Sequence, residues 1–563
     1  MLRGKPGEKK SSHPVLFCGM WLIMVQKTYP YLKDLLFVSA SAAMLVLAFP
    51  RFDLGFLAWF VLVPFFFVIL RSKPLGGFFF SLLFGVIFYT GIFLWMFRLP
   101  KYTPLHHILL GVYLGPLSGV FGLFVSLIAR RYRPATGLFA APFIWVCLEY
   151  MRSNLSFLSL PWALLAHSQY QYPILIQIAS ITGVFGIGFL IVLVNSGLTI
   201  LVWPVLRRPS RTISASTEPL LSRGAKALVG TAAVCFAVNL LYGYALTSKT
   251  ISGSECRISV VQANIEQSKK WKKEYAAMIM ETYDELTRKA SQDKPALIVW
   301  PETATPQAMN LDRNVLVKVW QTAKAASVPL LLGSSQQRKF EENKTRTLRY
   351  QNSAFLLQPV ARSTRNQRYD KIRLLPFGEY LPFNDKIPWA SIGIPKIGGY
   401  VPGSEFTIFE LPEYRFAVTI CWENIFPDLV RRFIQDGAQF LVNITNEAWF
   451  GKTAAPYQFL SMSVFRAVEN RVFVVRCANT GISCFIDPCG RVLDRVKSRN
   501  GDDIFVRGVL TASVVPQDSR TLYTQYGDWI VWFSICGAIT FVIPAFSSKG
   551  RRFISAVGLN ESS

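Results

Sequence analysis

The sequence predicts a polytopic α-helical membrane domain of eight helices, with one water-soluble α/β domain inserted between the seventh and the eighth. Three observations predict it. Of 563 residues, 51% are hydrophobic and only 17% are charged, with a mean hydropathy of +0.31, whereas a soluble domain carries about a quarter charged residues. The apolar residues gather into runs near the length of about 20 residues that spans a hydrocarbon core. One long stretch, 255–525, has no such run. The 14% of aromatic residues excludes a disordered chain, and nine cysteines in this length are too few for a disulfide scaffold.

Taken in order, residues 1–33 form a basic N-terminal extension. Within it, 14–25 has the look of a short signal core, but no A-x-A-like site follows and Lys27 and Lys33 come next, so it reads as uncleaved or interfacial. Helices one to seven are predicted over 34–50, 54–70, 75–97, 105–129, 136–151, 172–203 and 227–248, making 34–254 the first membrane part. The second and fifth are short; the sixth is long enough to tilt or to break at Gly183–Gly188. The loop 209–224 is the nearest thing to a flexible linker. Helix eight covers 526–546, and 526–563 includes its tail.

The charges fix a direction. Lysine and arginine outnumber aspartate and glutamate by 60 to 34, a formal net charge of +26. Residues 255–525 hold 36 basic and 27 acidic residues, which leaves +17 for the membrane part. That excess alternates. Odd connections carry only Arg51, then Arg98 and Lys101, then Arg152. Even ones carry Arg71 and Lys73; Arg130, Arg131 and Arg133; and Arg207, Arg208, Arg211, Arg223 and Lys226. Arg3, Lys5, Lys9 and Lys10 precede the first helix, and Lys549, Arg551 and Arg552 follow the last. By the positive-inside rule both termini are cytoplasmic, and a chain that has crossed seven times places the soluble domain outside. A net +9 without base-stacking motifs argues against nucleic acid as a partner.

In the soluble domain, strand patterns at 257–265, 296–300, 329–333, 353–358, 415–421, 439–445 and 472–486 are interleaved with helical ones at 274–291, 314–326, 427–436 and 457–470. That alternation predicts layered α/β structure. Its chemistry narrows by subtraction. The four histidines are His13, His106, His107 and His167, so no Ser-His-Asp or Cys-His pair and no histidine-zinc site lies within the domain. There is no paired CxxC and no glycine-rich phosphate loop. No metal or cofactor is expected, and any general base is a carboxylate or an amine.

Three candidates stand at the ends of predicted strands, where open α/β sheets place their sites: Glu302, Lys371 and Cys421. A cysteine attacks a carbonyl as thiolate, a carboxylate takes its proton, and an ammonium steadies the oxyanion. Singly, each has an ordinary reading: a small buried hydrophobe, a loop carboxylate and a surface charge.

Context changes that reading. Trp300-Pro301-Glu302, then Tyr369-Asp370-Lys371 with Pro376-Phe377-Gly378-Glu379-Tyr380-Leu381-Pro382, then Ile420-Cys421-Trp422-Glu423 resemble, in chain order, the Glu-Lys-Cys triad of the nitrilase superfamily. The whole chain from about 34 to 546 is similar, more narrowly, to the apolipoprotein N-acyltransferase family. Val261–Gln267 with Trp271, Asn446–Gly451, Arg466–Arg471, Asn479–Ser483, Tyr526–Trp529 and Leu47–Pro50 with Phe52-Asp53 carry the match.

The resemblance implies a nitrilase-like α-β-β-α sandwich and N-acyl transfer from a phospholipid, through a thioester on Cys421, to the α-amine of a diacylglyceryl apolipoprotein. It implies a monomeric inner-membrane enzyme with a periplasmic catalytic domain. Glu302, Lys371 and Cys421 would be catalytic, and Glu379 and Glu423 would support them or form structural ion pairs. Trp271, Trp422 and Tyr380 fall on the substrate side, although either tryptophan fits a core position equally well. Loop 387–402 is a candidate lid or a loop packed on the core. Trp422, Glu447 and Phe459 depart from the tyrosine, aspartate and histidine expected there. Two rivals remain, a membrane-tethered amidase and a non-enzymatic receptor or transporter. A disulfide among Cys256, Cys477, Cys484 and Cys489 stays open, since connectivity cannot be read from spacing.

Overall fold

A computed structural model describes residues 14–206, 222–342, 345–358, 367–384, 386–392, 399–518 and 520–547. Among them, six helices are long and apolar enough to cross a membrane: Pro74–Ile92, Pro104–Arg131, Pro134–Ser153, Ala179–Val205, Arg223–Thr247 and Trp529–Phe546. The other two of the eight expected spans take a different form. The 34–50 run is the end of one continuous helix, Pro14–Leu47, which also absorbs the 14–25 segment. The 54–70 run splits into the 3₁₀ turn Gly55–Trp59 and a ten-residue helix, Leu62–Arg71. The ten-residue helix alone rises about 15 Å, half a hydrocarbon core; with the turn ahead of it the apolar helical stretch runs from Gly55 to Arg71. Leu62, Phe65, Phe66, Val68 and Ile69 are buried by neighbouring helices, so this helix faces protein, while Leu54, Phe56 and Phe60 ahead of it are exposed. Its broken backbone is satisfied by Asn195, which accepts from the Leu62 N–H at 3.0 Å and donates to the Ala58 carbonyl at 2.9 Å. Irregular backbone inside an apolar bundle needs such a partner.

The expected break in the sixth run is present. Gly183 has φ 66° inside Ala179–Leu206, and a β-carbon there would stand 2.6 Å from the Tyr523 ring. The Val184 N–H freed by the break donates to Glu469 Oε1 at 3.0 Å.

The α/β domain contains two six-stranded sheets. The strands are β1 Cys256–Gln262, β2 Leu297–Val299, β3 Leu330–Glu342, β4 Thr345–Leu357, β5 Gln367–Asp370, β6 Ile408–Glu410, β7 Arg415–Ile420, β8 Phe440–Thr445, β9 Phe473–Ala478, β10 Cys484–Ile486, β11 Val492–Arg495 and β12 Gly508–Val514. Their orders are β12-β1-β2-β3-β4-β5 and β11-β10-β9-β8-β7-β6. Each has a parallel centre, β1-β2-β3 and β7-β8-β9, with antiparallel edges. The sheets face each other; Cys477 of β9 donates its thiol proton to the Val299 carbonyl of β2 at 3.2 Å. Ala276–Ser291 and Arg313–Ala326 cover the first sheet through a core that includes Tyr283, Trp300 and Val319. Pro427–Gln435 and Ala455–Asn470 cover the second. The result is α-β-β-α layering.

All eight cysteines outside the helix Pro14–Leu47 are free, among them Cys256, Cys477, Cys484 and Cys489, whose pairing the sequence left open. Each of the four is buried and behaves as a small apolar residue.

Gln458 ties the two parts together. Its amide oxygen accepts from the indoles of Trp95 and Trp162 at 3.0 and 2.8 Å, and its amide nitrogen donates to the carbonyls of Pro50 and Ile92, each at 3.2 Å. Beside it Phe459, standing where histidine was expected, packs edge-on against Trp162 at 4.5 Å.

Candidate active site

β5 runs in the same direction as β2 and β3, because two antiparallel steps restore the direction. The carboxyl ends of β2, β5, β7 and β8 therefore meet, and each delivers one residue of the cluster. Glu302 lies three residues past β2, Lys371 directly follows β5, Cys421 directly follows β7, and Asn446 directly follows β8.

Glu302 and Lys371 are both almost wholly buried, at 6% and 2% exposure. Glu302 Oε1 stands 3.7 Å from Lys371 Nζ and accepts from Asn352 Nδ2 at 2.7 Å; its Oε2 accepts from the Asn446 N–H at 2.8 Å. Glu379 Oε1 lies 2.9 Å from Lys371 Nζ and accepts from the same Asn352 amide at 3.1 Å, while its Oε2 accepts from the Leu375 N–H at 2.7 Å. The two carboxylates thus flank one ammonium. Burial alone would pull Lys371 down, but the charges of Glu379, Glu302, Cys421 and Glu423 outweigh it and raise its pKa above the ordinary lysine value. Lys371 remains a cation.

Cys421 has φ 56°, the left-handed region that a side chain other than glycine rarely occupies. Such strain gathers where a fold presents a reactive group. Burial pushes its thiol well above the usual range, Glu302 adds to that, and Lys371 opposes it. At rest the group is a thiol, so its proton must leave as it reacts. Asn443 Nδ2 donates to the Cys421 carbonyl at 3.2 Å, and Asn443 Oδ1 accepts from Arg476 at 3.0 Å. Arg476 in turn pairs with Glu447 at 2.5 Å, both fully buried. The departure at Glu447 therefore keeps a carboxylate for Arg476.

Glu423 is fully buried and acts as a bracket between two loops. Its Oε1 accepts from Tyr369 Oη at 2.8 Å and from the N–H groups of Ile372 and Arg373 at 2.7 and 3.0 Å; its Oε2 accepts from the Ile420 N–H at 2.8 Å. Trp422 is buried too, with its indole donating to the Arg373 carbonyl at 2.6 Å and its ring edge-on to Phe426 at 5.0 Å. Trp271 is 46% exposed. Tyr380 is partly buried, and its backbone bridges Pro376 at the turn that carries Glu379. Of the candidate lid 387–402, residues 393–398 lie outside the described residues.

Sequence reasoning did not single out Asn352 or Lys270. Lys270 is buried at 2% exposure, with Nζ donating to Thr303 Oγ1 at 2.8 Å and to the Glu302 carbonyl at 3.3 Å. Its one signal was its place beside Trp271; Asn352 had none, being one polar residue among strand residues. Among the described residues no cluster of three metal-ligating side chains occurs. The arrangement suits acyl transfer: a strained thiol, a buried carboxylate to take its proton, and a fixed ammonium facing both.

Comparison with known proteins gives the same answer for the whole chain. Residues 41–197 match the apolipoprotein N-acyltransferase N-terminal domain, and residues 257–522 match carbon-nitrogen hydrolase. The chain is 34% identical over 528 residues to apolipoprotein N-acyltransferase of Geobacter metallireducens, spanning 92% of this chain and 96% of that one. It is 29% identical over 532 residues to the protein of that name from Chlorobaculum tepidum, spanning 89% and 95%. Among solved structures it is similar to Saccharomyces cerevisiae Nit3, a member of branch 10 of the nitrilase superfamily, at 16% identity and a TM-score of 0.35, covering 47% of this chain and 93% of that one.

Proposed function

Since the chain belongs to the apolipoprotein N-acyltransferase family, we propose that it takes its acyl group from a phospholipid and passes it through Cys421 to the amino terminus of a diacylglyceryl apolipoprotein. Glu302 removes the Cys421 proton as sulfur attacks the ester carbonyl. Lys371 steadies the oxyanion, and on its collapse Glu302 returns the proton to the leaving alkoxide. Lysophospholipid departs and a thioester remains. The free α-amine of the acceptor then attacks the thioester carbonyl, Glu302 takes the amine proton, the C–S bond breaks, and the sulfur regains a proton. An amide and the resting thiol result, with ping-pong kinetics.

The observation that carries this reading is the buried pairing of Glu302 and Glu379 with Lys371 at the strand ends that also bear Cys421. Glu379 holds Lys371, Glu423 brackets the Lys371 and Cys421 loops, and Tyr380 and the exposed Trp271 belong to the substrate side. The charge asymmetry of the connections supports an inner-membrane enzyme with its catalytic domain on the periplasmic side, and we take the enzyme to act as a monomer.

The test is mass spectrometry of the purified enzyme after exposure to phospholipid vesicles lacking any acceptor. An acyl increment on the Cys421 peptide, absent in Cys421→Ala and discharged by a lipopeptide amine, is expected. Release of free fatty acid without a transferable adduct would point instead to a hydrolase.

A further inference from the structure

The base Glu302 sits on a turn just past β2, flanked by backbone bonds from the Gly333 N–H to the Pro301 carbonyl at 3.3 Å and from the Ala304 N–H to the Gly333 carbonyl at 2.8 Å. Thr303 has φ 46°, a left-handed conformation that is a genuine outlier for a β-branched residue. The turn lies hard against β3, where a β-carbon on Gly333 would stand 2.7 Å from the Glu302 Cα. One long side chain reaches it from another loop. Lys270 donates to the Thr303 hydroxyl and to the Glu302 carbonyl, the two groups that define the turn. Burying an ammonium is costly unless it is well partnered, yet among the described residues Lys270 has no carboxylate within salt-bridge distance. A surface role is excluded by its burial, and a purely apolar position by its charge.

The loop that carries Lys270 is itself pinned to the site. The Asn264 and Ile265 N–H groups donate to the Asn479 carbonyl and Oδ1, both at 2.9 Å, and Gln267 Oε1 accepts from Asn446 Nδ2 at 2.9 Å. Asn446 is the residue whose backbone holds Glu302 Oε2. Next along the loop comes the exposed Trp271, with φ 89°.

We infer that Lys270 is a positioning residue for the transfer: it clamps the Glu302–Thr303 turn, keeps a positive charge beside the base, and ties the Trp271 loop to both. This rests on the reading of Glu302 as the base. The charged groups acting on Lys270 are Glu302 and Cys421; burial, the larger influence, pulls its ammonium down to about 8 against them. Lys270 is therefore still largely a cation near neutrality. Around Glu302 itself stand Lys371 and Glu379, with Cys421, Glu447 and Tyr400 from the neighbouring elements.

The experiment follows acyl-Cys421 formation from phospholipid vesicles across pH, using the full-length enzyme and correcting for folded protein. In Lys270→Met the acylation rate is expected to fall about 10–100-fold, with KM for phospholipid nearly unchanged. Its acid limb should move up by about one pH unit, since a neighbouring cation favours the ionised base. Lys270→Gln keeps a donor for the two oxygens but removes the charge, and it carries the test should the methionine variant fail to fold. Lys270→Arg, which restores the charge, should return the limb toward wild type. A wild-type acid limb in the folded neutral variants would overturn the inference, as would an unchanged rate. Failure of the wild type to form any adduct would overturn the assignment of Glu302 and Cys421 instead.

Discussion

Glu423→Gln isolates the bracket behind the nucleophile. In the native protein one carboxylate oxygen takes three donors and the other takes one. Glutamine offers one oxygen and one NH2 group. With its oxygen toward Tyr369, Ile372 and Arg373, its NH2 faces the Ile420 N–H, and a buried donor left unsatisfied costs about 1–3 kcal/mol. The three bonds that remain lose charge assistance, which roughly doubles such bonds. Working the other way, burial raises the Glu423 pKa, so a neutral side chain recovers part of the desolvation cost. The net loss is about 2 kcal/mol; the reversed amide strands three donors and is worse. The loss falls where it matters, because Ile420 precedes Cys421 and Ile372 follows Lys371. A misplacement of about 1 Å costs on the order of 100-fold in rate. The assay pairs thermal unfolding in detergent with acyl-Cys421 formation, and Glu423→Ala provides the lower bound. A Glu423→Gln enzyme with wild-type unfolding midpoint and acylation rate would refute the bracket.

Two further substitutions test neighbouring parts of the design. Arg476→Met leaves the Glu447 carboxylate buried without its partner and should destabilise the protein by about 3–5 kcal/mol. Adding Glu447→Leu should recover part of that loss, and denaturant unfolding of the single and double variants checks it. Asp528, just ahead of the last membrane helix, is raised from 3.8 to about 6 by burial, with Asp428 adding to the shift and Arg431 and Arg466 opposing it. Its Oδ1 has no hydrogen-bond partner among the described residues. Between those two pH values the folded chain keeps a proton that the unfolded chain has released, so this group's contribution to stability falls as pH rises through the window. Asp528→Asn should therefore raise the unfolding midpoint at pH 8, by an amount equivalent to roughly 3 kcal/mol, and change it little at pH 4; equal effects at both pH values would contradict the burial argument.

Much of the site was legible because its residues follow strands that an apolar run betrays. Val299 ends such a run ahead of Glu302, and Ile420 ends another at Cys421. Lys270 and Asn352 were not legible, since a buried lysine and a strand asparagine look like any others until the fold sets them against Glu302, 32 and 50 positions away in sequence. Strands β5, β6, β11 and β12 escaped notice for a related reason, β12 because its seven residues are half-buried almost throughout and show no alternation. With three or four residues each, β5, β6 and β11 are too short to develop a period, and their neighbours in the sheet define them.

The 54–70 run marks the boundary most plainly. Hydropathy measures how much a segment avoids water, and it reads the same whether lipid or protein replaces that water. The sequence by itself determined that this run leaves water, that a charge-rich α/β domain interrupts the apolar chain, and that a carboxylate, an ammonium and a thiol end three of its strands. Only the tertiary structure decided that Leu62–Arg71 is a half-length helix capped through Asn195, that four buried cysteines lie unpaired, and that one buried ammonium lies between Glu302 and Glu379. Those outcomes depend on groups brought together from distant parts of the chain, because a buried charge or a broken backbone is tolerated only where the fold supplies its partner.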